Sequence, residues 1–188
     1  MSEILDPARS FRKLARNNRL ANTRLHATCA KLLPGEFEAK RTSFFPSIRA
    51  TLNHILTVDW FYVDALEGGD LGLKAFERDE PFADLPHLAE AQAAVDIRLL
   101  SLCENLRADQ LADLVRVHRG ERVQVDRRDD LLNHLFQHQT HHRGHVHAML
   151  SGTSVAPPQL DEFIVADDAA ARAAEMKSLG WGEPRVMS

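Results

Sequence analysis

Only two of the 188 residues are cysteine, Cys29 and Cys103. Two thiols in so long a chain make no disulfide framework. They suit a reducing, cytoplasmic setting in which each fills core space. Long apolar runs are missing too, since none approaches the roughly 20 residues of a membrane helix. The opening "MSEILDPARS" has neither the basic nor the apolar stretch of a secretory signal. Positive charge is in short supply: 23 Lys and Arg stand against 27 Asp and Glu, for a net charge of −4. That balance argues against nucleic-acid binding through a broad basic face. There is no P-loop, no Gly-rich dinucleotide fingerprint and no Ser-His-Asp order.

Histidine is what the chain has in quantity. Five of its ten histidines fall within "HQTHHRGHVH", residues 138–147, and His134 lies just upstream. The stretch is internal and interrupted, so it belongs to the fold and is no purification tag.

Four segments carry helical periodicity. The first spans roughly 7–33, with Phe11, Leu14, Asn18, Ala21, Leu25, Thr28 and Leu32 on one stripe, and Pro34–Gly35 ends it. The second spans roughly 43–66. Its stripe is Ile48, Leu52, Ile55, Asp59 and Tyr62, widened by His54, Val58 and Phe61. The third, roughly 85–106, has Asp84 as a candidate N-cap and an apolar face of Leu88, Ala91, Val95, Leu99, Leu102 and Leu106. The fourth spans roughly 129–150, with Asp126 or Asp129 as its cap. Before it, Val115 and Val117, then Val123 and Val125, alternate with polar residues around "RGE", a hairpin pattern. "ADDAAARAAEMKSLG" reads as a further, exposed C-terminal helix. The expected fold is therefore all-α: an antiparallel four-helix bundle with a short β-hairpin before helix four, in one domain over 1–188.

On helix four, Leu131, Leu135, His138, His142, Val146 and Met149 form the core-facing stripe. It places His138 and His142 one turn apart on the buried face, where two imidazoles can converge on one ion. His134, His141 and His145 form a neighbouring stripe nearer the edge. It offers a second pair at the same spacing in His141 and His145, so spacing alone does not decide. His147 falls on the outer side. His54 is the other histidine in an apolar helical setting, and a facing helix would bring it in as a third ligand. Three imidazoles with positions left open suit a catalytic divalent-metal site. Asp59 and Asp64 are rival ligands whose default is solvation. His26, His87 and His118 are expected in solvent, and Arg143 in solvent or at a dimer interface.

"NNRLANTRL", "TLNHILTVDWFYVDALEG", "HQTHHRGHVHAML" and "PPQLDEFIV" together resemble the DinB family, over about residues 17–165. The resemblance implies a four-helix bundle holding a divalent metal, here through His54, His138 and His142, and commonly a homodimer. The family motif usually has Gln where this chain has His145, which is read as a polar edge residue. The wider superfamily includes metal-dependent enzymes that use low-molecular-weight thiols. The resemblance thus implies a thiol S-transferase or isomerase with a small thiol cosubstrate. Imidazole ligands suit zinc or nickel, and the charge balance and apolar pattern argue against nucleic acid and membrane as partners. The alternative is a non-catalytic metal-binding stress-response protein.

Overall fold

A computed structural model describes residues 6–188. Four long helices dominate it: α1 (Ala8–Cys29), α2 (Ile48–Leu66), α3 (Leu85–Glu104) and α4 (Arg128–Leu150). Pairing across the bundle follows from named contacts. Asn22 meets Asp96 and Arg16 meets Glu104, so α1 and α3 run antiparallel. His54 meets His138 and Tyr62 meets His134, so α2 and α4 do as well. Asp59–Gln92 and Glu67–Arg98 show α2 and α3 running side by side in the same sense. The bundle is thus two antiparallel pairs laid against each other.

Helix starts follow local capping chemistry. The second helix begins at Ile48, five residues later than its periodicity suggests. There the Ser47 hydroxyl accepts the Ala50 N–H at 3.0 Å, and Pro46 precedes the cap. Asp84 caps α3 as expected, accepting the His87 N–H at 3.1 Å. The fourth helix differs: its N-cap is Arg127, and neither Asp126 nor Asp129 caps it from outside. Asp129 sits inside the first turn, where its carboxylate holds the Arg127 guanidinium at 2.7 Å and favours the helix's positive end.

The hairpin pairs β1 (Leu114–Arg119) with β2 (Arg122–Arg127), with Gly120 and Glu121 as the two-residue turn. Gly120 has φ of +70°, which glycine adopts without strain. Val115 and Val117 are buried, whereas Val123 and Val125 face outward. The register explains this. Val115 and Val117 share their face with Asp126 and Gln124, and β2's valines share the other face with Arg116 and His118.

Beyond α4 the chain is broken where one helix was expected. A 3₁₀ turn (Ala166–Ala169) is followed by α5 (Ala173–Leu179) and then α6 (Glu183–Met187). Arg172, at the N-cap of α5, is fully buried. Its guanidinium donates to Val165 O at 2.7 Å and pairs with Glu183. Phe163, Met176 and Val186 form a small second core against Leu20 and Ala21 of α1.

Cys29 and Cys103 are buried free thiols, each pushed up to about 12 by burial. His26 corrects the expectation of solvation: its ring is buried, and burial, then repulsion from Arg19, lowers its pKa to about 4. The unfolded chain therefore takes up this proton near pH 6.5, before the folded one does. Stability is full above pH 6.5 and falls as pH drops towards 4, by about 3 kcal/mol for this group. Urea unfolding at pH 7 and pH 4.5 should show a shallower acid loss for His26→Gln. Equal losses in parent and variant would assign the acid sensitivity elsewhere.

Candidate metal centre

The structure brings together the side chains of His54 on α2 and His138 and His142 on α4. One ligand nitrogen from each lies within 4.8 Å of the others. The Nε2 atoms of His54 and His138 are 3.0 Å apart. The rings of His138 and His142, one turn apart, have centroids 4.4 Å apart, and the His54 and His142 rings meet edge to face at 4.6 Å. Phe45, in the segment leading to α2, covers the cluster. Its ring centroid is 4.2 Å from that of His54 and 5.6 Å from that of His142.

The electrostatics favour neutral imidazoles. Burial lowers the pKa of His54. Burial, then the neighbouring histidines with His142 first, takes His138 down to about 3. Burial, then His54, His141 and His145, takes His142 to about 4. At neutral pH each ring has a lone pair free to donate.

Two observations test whether these residues fit an ion. A 3.0 Å spacing between nitrogens is compatible with two ligands on one ion whose metal–nitrogen bonds are about 2.0–2.1 Å. The Nδ1 atoms of His138 and His142 are also buried without a hydrogen-bond partner, so the protein's own hydrogen bonds do not account for bringing these rings together. A divalent cation answers the clustering of unprotonated imidazoles that lack an acid partner, so the cluster could hold a metal ion.

The rival ligands lie elsewhere. Asp64 is half-buried, and its carboxylate accepts the Leu71 N–H at 2.8 Å, closing the turn after α2. Asp59 corrects the solvated default: it is 1% exposed and belongs to a polar layer through the bundle centre. Gln92 of α3 donates to its Oδ2 at 2.7 Å, and Gln139 of α4 donates to the same atom. Gln92 also reaches Asp96 at 3.1 Å, and Asn22 reaches Asp96 at 3.0 Å. Arg143 is a second correction, being buried and neither solvated nor at the surface. It donates to Asn18, to Asn22 at 3.1 Å and to Gln139 at 3.1 Å. Burial, then the charge of Asp96, holds the Asp59 carboxyl well above the usual carboxylate range. Burial also raises Asp96 to about 6 and lowers Arg143 to about 10.

The remaining histidines fall as follows. His134 and His141 are exposed, and His147 is half-buried. His87 is exposed and pairs with Asp84, while His118 is half-buried against expectation. His145 is half-buried. With His141 and His142 it forms a second group whose ligand nitrogens lie within 4.8 Å of one another. The i,i+4 pair of His141 and His145 signalled this group, and reading His145 as a mere edge residue set it aside.

A histidine cluster between two helices of such a bundle defines a recognisable class of protein. The DinB family model matches residues 1–176, and the chain belongs to the DinB family. A solved structure described as a DinB-like protein from Bacillus cereus ATCC 10987 shares the fold with a TM-score of 0.57 at 13% identity. The match covers 74% of this chain and 89% of that one. No curated protein matches. Among the described residues, no helix is long and apolar enough to cross a membrane.

Proposed function

We propose that His54, His138 and His142 bind one divalent metal ion, zinc or nickel, and that the protein is a metal-dependent thiol S-transferase or isomerase. The observation that carries this is the cluster itself: three imidazoles from two helices, neutral at pH 7, with ligand nitrogens within 4.8 Å. Zinc and nickel both suit imidazole. A divalent ion with three neutral protein ligands supplies a Lewis acid that lowers the pKa of a bound thiol or water.

The chain's own residues set the rest. The helical spacing of His138 and His142 fixes two donors, and His54 closes the triangle from α2. Phe45 packs its ring against those of His54 and His142. The thiol has to come from outside the chain, because Cys29 and Cys103 are buried and stay protonated at neutral pH. We further propose a cytoplasmic homodimer of single-domain chains, which light scattering at micromolar concentration reads directly.

The test uses untagged protein loaded with zinc or nickel, assayed with a panel of low-molecular-weight thiols and electrophilic acceptors. Turnover with at least one thiol, lost in His142→Ala, is the expected result. One bound ion per chain with no thiol consumed would overturn the enzymatic reading and leave a non-catalytic metal-binding stress protein.

A further inference from the structure

Two members of the second histidine group, His141 and His145, have no part in the function above, and its third, His142, is shared with the first. His141, His142 and His145 offer ligand nitrogens within 4.8 Å of one another. They grade inward: His141 is exposed, His145 half-buried and His142 buried. The ring centroids of His141 and His145 are 4.4 Å apart, and His142 lies edge-on to both at 4.9 Å and 5.4 Å. The Nδ1 atoms of His142 and His145 are both buried without a hydrogen-bond partner. His145 also lines an opening of about 530 Å³ beside Ser43, Phe44 and Met149, so the group faces solvent on one side.

We propose that His141, His142 and His145 form an outer divalent-metal site that passes its ion to the inner triad through the shared His142. The inner part rests on the reading of His54, His138 and His142 given above. A divalent ion with His141 and His145 as ligands at the surface gains His142 as its third. It then exchanges the outer imidazoles for those of His138 and His54. Each exchange replaces one nitrogen lone pair by another, so no covalent bond of the protein breaks and no electron moves. Lys40 and Arg41 border the same opening. A like charge beside this opening disfavours a cation held there, as a site of passage requires.

Cobalt(II) alone is the probe, because its visible absorption reports imidazole ligation, and circular dichroism verifies the fold of each variant. At excess Co²⁺, His54→Ala/His138→Ala should still bind one ion per chain, and adding His145→Ala should abolish it. His141→Ala/His145→Ala should still fill the inner triad at equilibrium but take up Co²⁺ from a chelator-buffered pool several-fold more slowly than the parent. No ion on a folded His54→Ala/His138→Ala protein overturns the outer site, and an unchanged uptake rate overturns the transfer. Should the former variant not fold, the uptake comparison decides alone, since it alters only exposed and half-buried residues. Failure of the inner triad is a separate result: His141→Ala/His145→Ala would then bind no ion at all.

Discussion

At metal concentrations buffered so that only the tightest site fills, His138→Ala and His142→Ala lose the ion while keeping most of their helix content. The effect is expected to be large. Partners that merely orient a metal ligand are worth roughly 10–100-fold in affinity, and removing a ligand exceeds that. With metal in excess His142→Ala is the more severe of the two, since its ring belongs to both histidine groups. His134→Ala and His147→Ala keep the ion, because neither ring shares in either group. Metal content per chain, measured on untagged protein after dialysis against a weak chelator, separates these outcomes. Loss in His134→Ala with retention in His142→Ala would place the site on the wrong face of α4.

Arg143→Met is expected to cost about 3–5 kcal/mol at pH 7, the usual penalty for removing one partner from a buried ionic cluster. The methionine fills similar space but leaves the side-chain oxygens of Asn18, Asn22 and Gln139 without their buried donor. It also removes a positive charge that favours ionised Asp59 and Asp96. The penalty should shrink at pH 5. Asp96, raised to about 6, is then protonated in the folded protein and has less need of a cation. Urea unfolding at the two pH values reads both effects. A loss below about 1 kcal/mol at pH 7, within the range of ordinary surface changes, would rule out Arg143 as the charge partner of this layer.

Much of this architecture can be read from periodicity, since apolar spacing marks all four helices and the alternation of valines marks the hairpin. Helix limits depend on capping that periodicity does not see, which is why Ser47 and not Ser43 starts α2. The clustering of His54 with His138 and His142 follows from stripes on α2 and α4, and the structure supplies what spacing cannot, the distances between facing helices. The polar layer is the part least visible. Gln139 and Arg143 look like solvent-facing residues on α4, and their burial depends on partners contributed by α1 and α2. The clue was Asn18 and Asp59, which occupy core positions in otherwise apolar stripes. A polar residue there calls for buried partners.

The polar layer also works as a vernier. Each long helix contributes to it: Asn18 and Asn22 from α1, Asp59 from α2, Gln92 and Asp96 from α3, Gln139 and Arg143 from α4. Apolar side chains pack nearly as well after a helix slides by one turn, about 5.4 Å, but directional bonds do not survive such a step. Asp59 lies five positions after His54, and its partner Gln139 lies one after His138. Locking Asp59 to Gln139 therefore sets the axial alignment of α2 against α4 and holds His54 opposite His138.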